Sequence, residues 1–247
     1  MFSNLRCHPF AVETFFKSSV VLTFAISKDE LQPLIPKCLS LDTLNNHWGF
    51  LAIALVQTKK LRPKGFPEFM GSNFILVGYR IFVRYITSEG KNIRGLYILK
   101  SETNKIKMSL LGNLFTRYQY TTTDIKFYYK DPETVISSNK SHLHIEMTED
   151  DSRTRMPELS PFKDWKEARR YAGPLPFTFS YNGLTNEVLI IEGVRKNWVP
   201  EPIRIKNYNI GFLKDKQFNN IVLANAFIIK NVPYYWKKGR NDLWNAQ

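Results

Sequence analysis

Three features of the 247-residue sequence predict a mainly β, α+β architecture in a single domain spanning residues 1–247. Nine segments are rich in β-branched and aromatic residues, several of them alternating in the manner of half-buried strands, as in Phe82-Val83-Arg84-Tyr85 and Asp124-Ile125-Lys126-Phe127. Strands do not alternate regularly with long helices, which argues against a doubly wound parallel sheet. With 43% hydrophobic residues, 18 Phe and 12 Tyr, the chain can bury a sizeable core, and one all-β unit of this length is ordinary.

The predicted strands are Val20–Ile26, Trp48–Val56, Phe74–Ile86, Ile93–Leu99, Tyr118–Tyr129, His142–Met147, Phe177–Tyr181, Glu187–Arg195 and Ile221–Ile229, with turn-like clusters such as Ser88-Glu89-Gly90-Lys91-Asn92 between them. Ser27-Lys28-Asp29-Glu30 is a capping-box sequence ahead of Leu31, Leu34 and Ile35, with Pro36 as the stop. Ser160-Pro161 supplies a cap residue and an N1 proline for a second helix ending at Gly173-Pro174. Asn104 is placed to cap a third, from Lys105 to about Phe115.

On that third helix Ile106, Leu110, Leu111, Leu114 and Phe115 span one half of the circumference, and Lys107 falls roughly 100° from Ile106, near the centre of the apolar arc. A lysine desolvated there, in the first turn at the positive end of the helix dipole, would be pushed toward its neutral, nucleophilic form. The alternative is snorkelling, with the stem on apolar surface and the ammonium in water.

Charge and motifs narrow the function classes. The net charge is +13, and residues 1–130 carry 18 basic against 8 acidic side chains. The dense basic runs, Lys59-Lys60-Leu61-Arg62-Pro63-Lys64 and Lys237-Lys238-Gly239-Arg240, come without zinc-finger spacing or a recognition helix, so no specific nucleic-acid partner is expected. No apolar run reaches the ~18 residues of a membrane span. Cys7 and Cys38 support neither a disulfide framework nor a cysteine metal site, and a reducing, cytoplasmic compartment is the expectation. His142, His144 and Glu146 alternate along a predicted strand, but a polar surface face explains them better than a metal. No Gly-x-Ser-x-Gly elbow or phosphate-binding glycine loop occurs, and no cofactor is expected. Arg80 and Arg84 share one strand face with Phe82; facing inward, a guanidinium there would hold a carboxylate bidentately, and facing outward, the commoner case, both are solvated charges. Arg195 precedes Trp198-Val199-Pro200-Glu201-Pro202, a proline-fixed loop that suits a structural corner and a pocket rim equally.

The chain resembles the acetoacetate decarboxylase-like superfamily, and within it an uncharacterised bacterial branch known as a domain of unknown function. The resemblance rests on Phe24 to Pro36, Trp48-Gly49-Phe50, Leu61-Arg62-Pro63 with Gly65-Phe66-Pro67, Arg94 through Asn104, Gly173-Pro174-Leu175-Pro176-Phe177, and Arg195 with Trp198, Pro200 and Pro202. It implies an antiparallel β-barrel or cone around a pocket, with a few peripheral helices. In the decarboxylase a buried lysine forms a Schiff base with the ketone. The matching position falls within about two residues of Lys107, and the strand Trp48–Val56 lacks the carboxylate that the enzyme carries there.

Three functions are therefore expected. The first is a lyase-type, decarboxylase- or aldolase-like Schiff-base enzyme for oxo-acids, with Lys107 and Glu102 as catalytic residues and Arg80, Arg195, Trp198 and Tyr118 as substrate-binding ones. The second is a non-catalytic protein whose pocket takes a small apolar or carboxylated metabolite. The third is a polyanion-surface binder. The oligomeric state is left open.

Overall fold

The computed structural model describes residues 5–149, 156–172 and 175–244. Its central feature is a ring of seven strands: β1 (Val12–Ser27), β3 (Trp48–Pro63), β4 (Ser72–Ile86), β5 (Asn92–Thr103), β10 (Phe177–Asn182), β11 (Glu187–Arg195) and β14 (Ile221–Trp236). Neighbours pair antiparallel except at the β5–β10 junction, where Phe177 lies beside Gly95 in a parallel register. Pairing of β11 with β14, from Gly193 opposite Trp236, closes the ring.

Four shorter strands border it: β2 (Ser40–Leu41), β6 (Tyr120–Thr122), β12 (Glu201–Pro202) and β15 (Arg240–Leu243). A second, four-stranded sheet runs β13 (Arg204–Ile210), β9 (Leu143–Thr148), β8 (Glu133–Ser138), β7 (Lys126–Lys130). The helices are α1 (Lys28–Leu31), α2 (Ile106–Phe115), α3 (Trp165–Ala172) and α4 (Gly211–Lys216). Among the described residues no helix is long and apolar enough to cross a membrane.

The long ring strands are buried on both faces, which is why they read as continuous apolar runs. Val20, Leu22, Phe24 and Ile26 of β1 join one core with Ile136, Ile145 and Met147 of the second sheet, while Val21 and Ala25 face a second core. In β3 the alternation also sorts by size. Leu51, Ile53 and Leu55 fill the first core, and the intervening Ala52 and Ala54 leave room on the other side. Small inward residues opposite large outward ones are the local cause of a hollow barrel.

Several sequence expectations shift. The predicted strand Tyr118–Tyr129 is two strands in different sheets. β6 runs parallel to β5, then the chain leaves at Thr123, whose hydroxyl bonds those of Ser138 (2.7 Å) and Ser141 (2.6 Å), and enters β7. His142 lies outside its strand with φ 45°, and His144 Nε2 pairs with Glu146 Oε1 at 2.8 Å, so the alternating trio does not form. Lys105, not Asn104, is the N-cap of α2, because Asn104 Oδ1 accepts from the Ile75 amide (2.8 Å) and is held by the sheet. The capping box at Ser27 is half formed: its hydroxyl accepts from Asp29 N, but the Glu30 carboxylate accepts from Asn219 instead of turning back.

The second helix starts later than Ser160-Pro161. Asp164 Oδ1 accepts from Glu167 N at 2.8 Å, and Ser160 Oγ accepts from Phe162 N while donating to Ala224 O. The predicted stop, Gly173-Pro174, lies outside the described residues.

Candidate functional site

Every strand of the ring contributes side chains to one cavity of about 500 Å³, a convergence that only the interior of a closed ring allows. α2 covers part of it with Met108, Leu111, Gly112 and Phe115, and the N-terminal segment adds His8 and Phe10. Gly112 is what lets α2 approach, since a Cβ there would sit 2.4 Å from the Tyr120 ring. Asn113 then locks the contact in both directions: its Nδ2 donates to Tyr120 O and its Oδ1 accepts from Tyr120 N, both at 2.8 Å.

The walls are mostly apolar, and their charges are of one sign. Arg62, Arg80, Lys107 and Arg195 line the cavity; among the described residues no Asp or Glu does. Arg62 is already committed, to Glu13 (2.8 Å) and to the carbonyls of Phe66 and Lys60. Arg195 stacks its guanidinium 4.8 Å from the Trp198 ring and hydrogen-bonds Tyr234.

Arg80 differs from both. It takes part in no ion pair among the described residues, and its buried Nε has no hydrogen-bond partner. Its guanidinium lies over Gly78, where an added Cβ would come within 2.7 Å of Nε. Burial pulls its pKa below the ordinary arginine value, opposed by the surrounding Tyr234, Tyr120 and Tyr118. Those phenols are themselves shifted upward by burial, Tyr120 to about 12, so they stay protonated and able to donate. Tyr118 Oη is hydrogen-bonded to Thr178 Oγ1 at 2.8 Å.

Further polar atoms on lining residues lack partners: His8 Nε2, Thr58 Oγ1 and Trp198 Nε1. Burial lowers the His8 pKa to about 4, so its ring is neutral near pH 7. Buried polar atoms without partners are uncommon, and four of the eight found among the described residues, that of Arg80 included, belong to residues lining this hollow.

The sequence-predicted residues separate. Arg80, Arg195, Trp198, Tyr118 and Lys107 border the same cavity, whereas Glu102 does not. Leu99 is an extra residue in β5, with Tyr79 paired to Lys100 and Arg80 to Ile98. Such a bulge exchanges the two faces beyond it. Ser101 therefore takes the cavity side, and Glu102, 3% exposed, turns to the other core, where it accepts from Tyr79 Oη (3.0 Å) and pairs with Lys100 Nζ (2.7 Å).

Lys107 is exposed at the cavity's edge. α2 is rotated from the orientation that its apolar content suggested. Met108 and Ser109 are buried while Ile106 and Leu110 stand in solvent, because packing on Tyr120 through Gly112 fixes the rotation. Sequence reasoning missed His8, Tyr120, Tyr234 and Gly78; only Gly78, a glycine two residues before an arginine inside an apolar strand, left a local trace.

The family model DUF2071, described as an uncharacterized conserved protein, matches residues 16–238. The chain belongs to this family. No curated protein matches it. Among solved structures, this DUF2071 chain is similar to acetoacetate decarboxylase from Legionella pneumophila (TM-score 0.59, 12% identity, 95% of this chain and 88% of that one). A second acetoacetate decarboxylase structure gives TM-score 0.55 and 12% identity over 96% and 89% of the two chains. The enduracididine biosynthesis enzyme MppR, complexed with pyruvate, gives 0.56 and 9% over 94% and 90%. These likenesses show an acetoacetate decarboxylase-like fold for the DUF2071 chain.

Proposed function

We propose that this DUF2071 chain binds a small carboxylic acid with an apolar body inside the barrel, anchored through its carboxylate on Arg80. The observation that carries this reading is a half-buried arginine without an anionic partner, its Nε fully enclosed, in an apolar cavity that has no carboxylate of its own among the described residues. A buried charge is costly until it is paired, so a ligand carboxylate gains both the charge-assisted hydrogen bonds and the relief of that cost. Phenol donors at Tyr118, Tyr120 and Tyr234 add hydrogen bonds without adding charge. About 500 Å³ lies within the range of small-molecule sites and leaves apolar wall for a body larger than pyruvate.

Calorimetric titration of medium-chain and aryl-substituted carboxylic acids, each beside its primary amide, tests this. The acids are expected to bind and the amides not. Arg80→Met is expected to weaken the acids ~30-fold or more, the value of a charged hydrogen bond. Equal binding of acid and amide sinks the proposal.

A second reading, Schiff-base chemistry on an oxo-acid, is favoured by one observation: Lys107 lines the same cavity and has no ion-pair partner among the described residues. In that reaction the amine adds to the carbonyl carbon, water leaves, and borohydride reduces the resulting imine. Intact-mass analysis after borohydride treatment with pyruvate or acetoacetate decides it. An adduct absent from Lys107→Ala establishes the chemistry, and no adduct leaves the binding protein alone.

A further inference from the structure

Among the described residues, the exposed members of the cavity lining are Met70 and Lys107, so the opening lies between the loop after β3 and the first turn of α2. These two segments are neighbours in space. The loop runs into β4, and Ile75 of β4 exchanges hydrogen bonds with Asn104, just before α2. Around this opening the surface is unusually apolar. Phe69 is 87% exposed, Ile106 68% and Leu110 67%, with Phe66 and Met70 also in solvent. Ile106 and Leu110 stand four residues apart on one helical face.

The same rim is cationic. Lys59, Lys60, Arg62 and Lys64 precede or begin the loop, and Lys105 and Lys107 flank Ile106. Glu68 is the one carboxylate within residues 59–71 and 104–117, and it is paired to Lys60. Lys59, Lys105 and Lys107 are exposed and have no ion-pair partner among the described residues.

We infer that this rim docks on the surface of an anionic phospholipid bilayer, setting the cavity's opening against the membrane. Exposed Phe, Met, Ile and Leu enter the boundary between headgroups and acyl chains, while the lysines meet anionic headgroups. Charge complementarity selects this occupant over a second copy of the chain. A two-fold contact through the rim would bring together two surfaces of the same sign, each carrying Lys59, Lys105 and Lys107, in a molecule of net charge +13. The docking stands on the rim alone and does not depend on which ligand the cavity takes.

Vesicle co-sedimentation tests it, with vesicles of pure phosphatidylcholine and of equal parts phosphatidylcholine and phosphatidylglycerol. Binding to the anionic vesicles is expected to be at least tenfold tighter and to weaken in high salt. The double variant Phe69→Asp/Ile106→Asp is expected to lose it; both positions are exposed and neither lines the cavity. Carboxylic-acid binding by that variant, measured by calorimetry without vesicles, is expected to persist, which separates failure of the docking from failure of the cavity reading. No binding to anionic vesicles, or undiminished binding by the double variant, overturns the inference. So does a wild-type dimer, seen by light scattering, that the double variant dissociates while vesicles go unbound, because the rim would then be a self-interface.

Discussion

Arg80 and Arg84 lie four residues apart on β4, yet their surroundings differ in kind. Arg84 donates to Asp42 Oδ1 at 2.8 Å, and Arg94 Nε takes the other oxygen at 2.7 Å, so the Asp42 carboxylate, 1% exposed, is shared by two guanidinium groups. Arg80 has no such partner and points into a hollow lined by phenols and apolar side chains. The satisfied cluster joins β2, β4 and β5 into a fixed corner. The unsatisfied arginine contributes nothing comparable to the barrel, and the position makes sense once a ligand supplies the missing anion. A buried charge identifies a site by what it lacks.

The sharpest way to break this contrast is to remove the shared acid. Asp42→Ala leaves two partly exposed arginines without their shared buried acid and is expected to cost roughly 2–3 kcal/mol in urea unfolding, below the full value of a broken buried pair because both guanidinium groups still reach water. A loss below ~1 kcal/mol would mean that the corner is no more dependent on its charges than a surface pair.

Next comes pH. The His8 pKa falls from 6.5 to about 4 on folding, so between those values the unfolded chain holds a proton that the folded one refuses. His8 therefore leaves stability intact above pH 6.5, and ~3 kcal/mol is lost as the pH falls toward 4. Comparing wild type with His8→Phe by thermal melts across this range isolates the slope, which is expected to flatten in the variant. Parallel curves would place the acid sensitivity elsewhere.

A smaller effect is expected from Gly78→Ala. Its methyl group displaces the Arg80 guanidinium from its bed. Carboxylic-acid affinity is expected to fall about tenfold, or ~1.4 kcal/mol, with little change in unfolding midpoint. Unaltered affinity would show that the anchor works from another rotamer.

Smallest of all is the stability change in Arg80→Met, expected between zero and a gain of ~1 kcal/mol because an unpaired charge gives way to an apolar side chain. Destabilisation as large as that of Asp42→Ala would erase the distinction between the two arginines.

Much of this architecture is legible in the sequence. Continuous apolar runs such as Val20–Ile26 declare strands buried on both sides, and Leu51-Ala52-Ile53-Ala54-Leu55 even carries the size alternation that hollows the barrel. Arg80, Arg195, Trp198 and Tyr118 could be singled out from residue type and context. Glu102 could not be oriented, because face parity fails at a bulge and nothing in Ile98-Leu99-Lys100 announces one. The rotation of α2 escaped for a related reason: the Gly112–Tyr120 contact outweighs the helix's own apolar content. His8 and Tyr234 are more than 200 positions apart in the chain and meet at the cavity only through closure of the ring, a relation that no local pattern encodes.

That closure has a consequence for biosynthesis. β14 is the last long strand to leave the ribosome, and it pairs along the whole of β1, from Val12 opposite Trp236 to Ile26 opposite Ile221. Until then β1, β3, β4 and β5 form an open antiparallel sheet whose edges and small inward residues are accessible to water and to other chains. Contacts this distant in sequence form late, since the loop they close is long. The cavity comes into being only once β14 has emerged and paired, so a ligand held inside it rewards closed barrels alone, and its absence leaves the three-residue β11–β14 and β5–β10 pairings as the places where the barrel first reopens.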